Sequence, residues 1–255
     1  MSTAESQPLK GRVALVTGAA GSVGRATALA LAEAGADIAV ADIRAEENQA
    51  VAGEIEAVGR QSTALPTDIT DSAHADAAVA LTVKHLGRLD ILVNAAGTCP
   101  VHTALECPDD VWREVVAVNL DGVFWCCRAA GREMIERGEG GRIITLASMT
   151  AQVADEPLTH PAYAAAKAGV VMLTRYLAVD WGQHGITVNA ISPGTAEPLM
   201  TPELADWRDH WIRQTPTGRL AEPGEIAQAV VFLASDAAAH ISGHNLLIDG
   251  GYSCR

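Results

Sequence analysis

A glycine-rich stretch, Thr17-Gly18-Ala19-Ala20-Gly21-Ser22-Val23-Gly24, joins a short apolar run to a segment with helical periodicity. Glycine at such a turn permits a tight bend and lets backbone N–H groups approach an anion where the following helix begins. The helix dipole favours negative charge at the same place. The stretch therefore predicts a pyrophosphate-binding turn, and we expect five of its residues to contact the ligand: Gly18, Gly21, Ser22, Val23 and Gly24.

Apolar runs alternate with helical patterns through the rest of the chain. Several runs, such as Ile91-Leu92-Val93, are apolar at consecutive positions, which is typical of strands buried on both faces. Such strands, alternating with helices, predict an α/β fold: a doubly wound, Rossmann-type parallel sheet of seven strands with helices on both faces, in a single domain over residues 1–255. The predicted strands are residues 12–16, 37–41, 62–65, 90–93, 142–147, 186–191 and 245–248, with long helices near 109–137 and 161–183.

One segment, near residues 195–217, interrupts this alternation. It contains three prolines and two tryptophans, Trp207 and Trp211, four positions apart. Residues at this spacing share one face of a helix, so the two indoles are placed to cover one end of a cleft. We expect a mobile substrate lid here; packing of both indoles against the edge of the sheet is the alternative.

Composition and charge exclude several classes of protein. The 255 residues are 49% hydrophobic and 19% charged, which excludes an intrinsically disordered chain. The net charge of −13 repels nucleic-acid phosphates and anionic membranes. The five cysteines form no Cys-x-x-Cys pair, and the first ten residues lack the apolar core of a secretory signal. We therefore expect a cytoplasmic protein with reduced thiols that binds no metal, nucleic acid or membrane.

Two aspartates follow the second and third predicted strands. Asp42 lies 18 residues beyond Gly24, where a carboxylate accepts hydrogen bonds from an adenosine ribose, and Asp68 is placed to meet the adenine edge. Each could instead be a loop or helix-capping residue. A 2′-phosphate would meet like charge at Asp42, so the sequence predicts NAD(H) rather than NADP(H), although Arg44 or Arg25 could turn toward a phosphate. We expect Ile43 and Ile69 to contact the same nucleotide.

Tyr163 and Lys167 lie four positions apart on the last long helix and share one of its faces. An ammonium group next to a phenol stabilises the tyrosinate form and lowers the phenol pKa toward the range of a general base. This pair predicts acid/base chemistry at the start of that helix.

Together these motifs resemble the short-chain dehydrogenase/reductase family over residues 10–252. Gly18, Ser22 and Gly24 match the three positions of the family's glycine motif, with serine in place of the middle glycine. Asn94-Ala95-Ala96-Gly97 is similar to its Asn-Asn-Ala-Gly segment, Ser192-Pro193-Gly194 to its Pro-Gly segment, and Asp249-Gly250-Gly251 to its last strand end. Asn119, Ser148, Tyr163 and Lys167 match its catalytic tetrad in order.

The resemblance implies a role for each member of the tetrad. Tyr163 would exchange a proton with the substrate oxygen, Ser148 would hydrogen-bond that oxygen, and Lys167 would hold the nicotinamide ribose. Asn119 would hold a water that relays protons to Lys167. The implied cofactor contacts are the glycine turn, Asp42, Ile43, Asp68, Ile69, Asn94, Ala95, Ala96, Gly97, Tyr163, Lys167, Pro193, Gly194 and Ala196.

One departure from the family concerns the residues after Pro193-Gly194. The family often has an aliphatic residue and then a threonine there, where this chain has Ala196 and Pro198. The hydroxyl group expected next to the cofactor is missing, unless Thr195 replaces it.

The implied activity is NAD(H)-dependent interconversion of a secondary alcohol or polyol and its ketone. An NADPH-linked 3-oxoacyl thioester reductase and a non-catalytic dinucleotide-binding sensor or scaffold are the alternatives. We expect the substrate pocket to be lined by Thr98, Cys99, Ser148, Met149, His160, Trp207 and Trp211. A homo-oligomer, tetramer or dimer, is implied by the resemblance, and the apolar run at residues 123–127 is consistent with it; burial of that run inside the subunit is the alternative.

Overall fold

Seven parallel strands form a single sheet in the computed structural model, which describes residues 7–155, 157, 159–197 and 206–254. The strands are β1 (Val13–Thr17), β2 (Asp37–Asp42), β3 (Ser62–Pro66), β4 (Ile91–Asn94), β5 (Gly141–Leu146), β6 (Ile186–Pro193) and β7 (Asn245–Ile248). Their order across the sheet is β3-β2-β1-β4-β5-β6-β7. All seven predicted strands are confirmed, with bounds that differ by no more than two residues.

The described residues form eight α-helices, six of which pack on the two faces of this sheet. They are α1 (Ser22–Glu33), α2 (Ala45–Ala57), α3 (Ser72–Leu86), α4 (Asp109–Val116), α5 (Gly122–Arg137), α6 (Pro161–Trp181), α7 (Arg208–Gln214) and α8 (Pro223–Ala234). Helices α1, α2 and α8 bury their apolar residues in one core cluster, whereas α3, α5 and α6 contribute to the other. The predicted doubly wound, single-domain α/β fold is confirmed.

Strand β1 shows why consecutive positions are apolar. Ala14 and Val16 belong to the core cluster on one face of the sheet, whereas Leu15 belongs to the cluster on the other. Since successive side chains of a strand point to opposite faces, a sheet covered on both sides needs apolar residues throughout.

The sheet reverses its winding at β1. This strand pairs with β2 on one side and with β4 on the other. Connections that leave neighbouring strands in opposite directions open a crevice beyond their carboxyl ends, and ligands of open α/β sheets bind in such crevices. The topology therefore places a binding cleft between the ends of β1 and β4.

The long helix predicted at residues 109–137 has an irregular middle. Helix α4 passes into α5 through a π-helical turn, Ala117–Asp121, with Asn119 fully buried inside it. A π-turn inserts an extra residue and rotates the side chains that follow, and such turns are frequent at functional sites. The period of the apolar residues did not predict this turn.

Part of the segment expected to form a lid lies outside the described residues, namely 198–205. Of the remainder, Trp211 on α7 is buried, and Trp207 meets His210 edge to face with ring centroids 6.4 Å apart. The lid therefore stays a prediction. Within the described ranges, no helix is both long and apolar enough to span a bilayer.

Candidate active site

Two connected cavities form a cleft along the carboxyl ends of the strands. One, of about 780 Å³, extends from the glycine turn toward the ends of β2 and β3. The other, of about 260 Å³, extends from the same turn toward the start of α6. Six residues line both cavities: Gly18, Gly21, Ser22, Ala95, Gly97 and Cys99. An elongated ligand can therefore occupy both cavities at once.

The glycine turn has the backbone geometry that the sequence predicts. Gly18 adopts φ +68°, and a Cβ atom there would overlap the backbone of Ala96. A Cβ on Gly24 would overlap the carbonyl oxygen of Gly18, so this glycine allows the turn to fold onto the helix. Gly21 caps α1 without a side-chain hydrogen bond. The amides of the first helical turn are thus available to an anion.

Ser22 replaces a glycine of the family motif without backbone strain. Positive φ angles occur only at glycines among the described residues, so Ser22 has an ordinary backbone conformation. It is the first residue of α1 and its side chain is exposed.

Asp42 joins the glycine turn to the next βα turn. Its carboxylate accepts hydrogen bonds from the N–H groups of Ala20 and Arg44, both at 3.0 Å. The guanidinium of Arg44 folds back and pairs with the same carboxylate, with Nε 3.2 Å from Oδ1. Both residues line the larger cavity. The sequence indicated Arg44 only as a group that could turn toward a phosphate; the structure places it at the site.

The third strand leads to the far end of the larger cavity. Asp68 and Ile69 line it together with the exposed Ile43. One oxygen of Asp68 accepts hydrogen bonds from the N–H and hydroxyl of Thr70, which lower the pKa of Asp68. Asp68 therefore also stabilises its own loop, as the alternative interpretation expected.

The segment after β4 divides between the cleft and the core. Ala95 and Gly97 line both cavities, and Ala96 and Thr98 line the larger one. Asn94 is buried instead, donating hydrogen bonds to Cys127 Sγ and Thr145 Oγ1, and it lines neither cavity. Its position is that of a residue that holds β4 against β5 and α5.

Tyr163 and Lys167 both line the smaller cavity from the start of α6. The Lys167 Nζ lies 5.5 Å from the centroid of the Tyr163 ring and donates a 2.7 Å hydrogen bond to the carbonyl of Leu146. The Lys167 side chain is only 3% exposed. An ammonium group is thus held deep in the cleft next to the phenol.

The titration of this pair differs from the expectation based on sequence. Burial raises the pKa of Tyr163 above its ordinary range, the Cys99 thiol acts in the same direction, and a hydrogen bond with Ser148 opposes both. Burial lowers the pKa of Lys167 to about 8, and Cys99 opposes this change. The predicted lowering of the phenol pKa is therefore wrong for the chain without a ligand, because desolvation by burial has the largest effect on this group.

Ser148 and Asn119 approach the same region from two other elements. Ser148 follows β5, lines the smaller cavity, and caps the short turn Met149–Ala151 through a hydrogen bond from the Thr150 N–H. Asn119 Nδ2 donates to the carbonyls of Thr98 and Val115, at 2.8 and 3.0 Å. These contacts leave Asn119 Oδ1 buried without a hydrogen-bond partner among the described residues.

A space between Asn119 and Lys167 exists because residue 97 is glycine. A Cβ on Gly97 would lie 2.8 Å from Asn119 Oδ1 and 3.7 Å from Lys167 Nζ. The two polar atoms therefore border the same space next to Gly97.

The remaining predicted residues lie at the substrate end or near it. Cys99, Met149, His160, Pro193, Gly194, Ala196 and Trp211 line the smaller cavity, as does Thr195. Trp207 lines neither cavity.

Asp155 is a site residue that the sequence did not predict. This residue lines the smaller cavity and accepts hydrogen bonds from Trp211 and Tyr252. No motif or periodicity marks it, because its partners lie 56 and 97 residues further along the chain.

The cleft fits a nicotinamide dinucleotide. The uncapped start of α1 matches a pyrophosphate, and Asp42 lies where an adenosine ribose would follow. Lys167, at the other end, carries the ammonium expected beside the second ribose. The fold and the cleft thus define a Rossmann-type nucleotide-binding protein with a buried Tyr–Lys pair.

Comparisons with known proteins identify the family. A family model described as enoyl-(acyl carrier protein) reductase matches residues 18–253. D-threitol dehydrogenase from Mycolicibacterium smegmatis is 43% identical over 249 residues, covering 97% of this chain and 95% of that protein. L-rhamnose 1-dehydrogenase (NAD(P)(+)) from a Sphingomonas species is 40% identical over 247 residues, covering 95% and 96%. The crystal structure of a short-chain type dehydrogenase/reductase from Mycobacterium marinum matches with a TM-score of 0.95 at 37% identity, covering 100% of both chains.

The chain belongs to the short-chain dehydrogenase/reductase family. This confirms the resemblance seen in the sequence motifs. The protein is therefore an oxidoreductase that acts on CH–OH groups, and its family binds a nicotinamide dinucleotide.

Proposed function

We propose that the protein is an NAD(H)-dependent dehydrogenase that interconverts a polyol, or a related secondary alcohol, and its ketone, with Tyr163 as the acid/base. The observation that carries the proposal is the convergence of Tyr163, Lys167 and Ser148 on one cavity that continues into the dinucleotide cleft. The similar proteins named above act on a four-carbon polyol and on a sugar, which supports a substrate with several hydroxyl groups.

The bound dinucleotide would supply or accept a hydride at its nicotinamide ring. Amides of the glycine turn would hold its pyrophosphate, Asp42 its adenosine ribose and Lys167 its nicotinamide ribose. The backbone of Pro193 and Gly194 would lie beside the nicotinamide.

The proton is handled by this chain's own residues. Tyr163 exchanges it with the substrate oxygen, and Ser148 hydrogen-bonds that oxygen and so fixes its position. Since burial raises the pKa of Tyr163, the phenol needs additional positive charge to act as a base near neutral pH. Lys167 supplies part of this charge, and an oxidised nicotinamide would add to it.

The space beside Gly97 provides a route for the proton to leave. A water there could accept a hydrogen bond from Lys167 and donate one to the unpaired Oδ1 of Asn119. The π-turn holds Asn119 with its amide nitrogen already occupied, so that the oxygen remains for this water.

The preference for NAD(H) rests on Asp42, which is only 7% exposed and faces the adenosine end of the cleft. Its ion pair with Arg44 also holds that guanidinium. A 2′-phosphate would have to approach the carboxylate and draw Arg44 away from it, and both requirements weaken NADP(H) binding.

A dehydrogenase assay with Tyr163→Phe tests the proposed function. Wild-type protein should reduce NAD⁺ with at least one member of a panel of four- to six-carbon alditols and secondary alcohols. Tyr163→Phe keeps the ring but removes the transferable proton, so kcat should fall by roughly 10²–10⁴. The matched control is Tyr176→Phe, which makes the same change at an exposed position of α6 and should leave kcat within about twofold.

Three outcomes would contradict the proposal. Near-normal turnover by Tyr163→Phe would remove this tyrosine from the chemistry. Dinucleotide binding by the wild type without turnover of any alcohol or ketone would favour a sensor or scaffold, and turnover of 3-oxoacyl thioesters alone would favour the other alternative. The homo-oligomer and the cytoplasmic location stay predictions.

A further inference from the structure

A half-buried carboxylate lies at the substrate end of the cleft, outside the family's tetrad. Asp155 lines the cavity that contains Tyr163 and Ser148. Trp211 Nε1 and Tyr252 Oη both donate to the same oxygen of Asp155, Oδ1, at 3.1 and 3.0 Å. Because these two donors come from α7 and from the turn Tyr252–Cys254, the carboxylate is fixed in orientation.

The second oxygen of Asp155, Oδ2, differs from Oδ1 in its hydrogen bonding. Among the described residues, Oδ2 has no hydrogen-bond partner, since both hydrogen bonds to this side chain end on Oδ1. Apolar side chains also line this cavity, namely Val101, Met149 and Ile226. An ionised carboxylate oxygen without a partner is a strong hydrogen-bond acceptor for a donor that enters the cavity.

We propose that Asp155 is a specificity-determining residue whose carboxylate accepts a hydrogen bond from a hydroxyl group of the substrate other than the reacting one. The site would thereby favour neutral polyols over simple secondary alcohols. This inference rests on the proposed function, since it assumes that an alcohol is oxidised at Tyr163.

The charge of Asp155 also predicts what the site rejects. Burial raises the pKa of Asp155, but the hydrogen bonds from Tyr252 and Trp211 favour its ionised form. Burial lowers the pKa of the neighbouring His160, so this imidazole supplies little compensating positive charge at pH 7. A sugar acid with a carboxylate at the same end would meet like charge and bind less well.

Asp155→Asn is the sharpest test, because the asparagine Oδ1 can still accept from Trp211 and Tyr252. Only the charged second acceptor is replaced, by an amide N–H₂. We measure kcat and KM for the best alditol of a four- to six-carbon panel, for 2-butanol and for the aldonate that corresponds to that alditol. In Asp155→Asn the alditol/2-butanol ratio of kcat/KM should fall about tenfold, mainly through KM, and the aldonate/alditol ratio should rise.

Asp209→Asn is the matched control. It makes the same change of charge on α7, at an exposed residue that lines neither cavity, and should leave both ratios unchanged. Thermal unfolding of each variant checks the fold.

The outcomes separate this inference from the proposed function. Equal loss for alditol and 2-butanol in Asp155→Asn, or a wild type that uses both equally well, overturns the role of Asp155 and leaves the dehydrogenase proposal standing. A wild type that oxidises none of these alcohols overturns the dehydrogenase proposal, and the role of Asp155 with it.

Discussion

Two buried charged residues at opposite ends of the sheet, Asp90 and Lys167, differ in how their charges are paired. At the amino-terminal end, Asp90 precedes β4 and is fully buried, yet Arg88 pairs with both of its oxygens at 2.8 Å. Arg137 lies 3.2 Å from the same carboxylate, and the N–H of Val13 donates to it. At the carboxyl-terminal end, the buried Lys167 has only the carbonyl of Leu146 as a hydrogen-bond partner among the described residues.

This difference separates stability from function. A buried ion that is fully paired holds elements together, and removing one partner leaves the others unsatisfied. A buried ion without a counter-ion lowers the stability of the folded state, but its charge remains available to a ligand. We therefore expect replacement of Asp90 to lower the stability of the fold, and replacement of Lys167 to raise the stability while it abolishes activity.

The largest effect on stability is expected from Asp90→Ala. The substitution takes the buried carboxylate away from Arg88 and from Arg137, which is 14% exposed, and removes the acceptor of the Val13 N–H. The free energy of unfolding should fall by about 3–5 kcal/mol, as measured by urea denaturation. Asp236→Ala, which removes an exposed partner of Arg12 and Arg142, is the control and should cost less than about 1 kcal/mol. Equal losses of unfolding free energy in the two variants would show that the buried ion pairs of Asp90 contribute no more than exposed ones.

At the other end, Lys167→Met should make the protein more stable while it abolishes activity. Burial lowers the pKa of Lys167 from 10.5 to about 8, which costs the protonated folded state about 3 kcal/mol at pH 7. Loss of the hydrogen bond to Leu146 offsets about 1 kcal/mol, so a net gain of about 2 kcal/mol is expected.

This gain should depend on pH. Between pH 8 and 10.5 the unfolded wild type binds more protons at Lys167 than the folded state does, so wild-type stability rises with pH relative to the variant. Urea unfolding of both proteins at pH 7 and at pH 9.5 should show the advantage of Lys167→Met shrinking. A variant less stable than the wild type at both pH values would contradict the assignment of Lys167 as an unpaired buried charge.

The smallest effect is expected at the adenosine end of the cleft, where Asp42 and Arg44 form a partly exposed ion pair. Wild-type kcat/KM should be higher with NAD(H) than with NADP(H). Asp42→Ala should reduce the ratio of these two values about tenfold, mainly by improving the use of NADP(H). Arg44→Ala is the opposing control. It leaves the Asp42 carboxylate without its positive partner and should increase the ratio of kcat/KM for NAD(H) to kcat/KM for NADP(H). A wild type that prefers NADP(H) would show that Arg44, not Asp42, decides the choice.

Patterns in the sequence predicted the strands, the glycine turn and the Tyr163–Lys167 pair because each depends on residues that are close together in the sequence. A parallel sheet that is buried on both faces has strands that are apolar at consecutive positions and that alternate with helices. The spacing of four residues between Tyr163 and Lys167 follows from the helical repeat. The π-turn around Asn119 left no such pattern, because it is a single irregular turn within a long helix.

The sequence by itself determined the fold class, the direction of the strands and the place of the nucleotide turn, since these depend on short-range periodicity and on glycine's freedom at Gly18. The tertiary structure decided the electrostatics of the site. Burial reversed the expected pKa change of Tyr163, Arg44 folded back onto Asp42, and Asp155 acquired its role from partners 56 and 97 residues away. Desolvation and long-range contacts exist only once the chain has folded, and so no local pattern of residues records them.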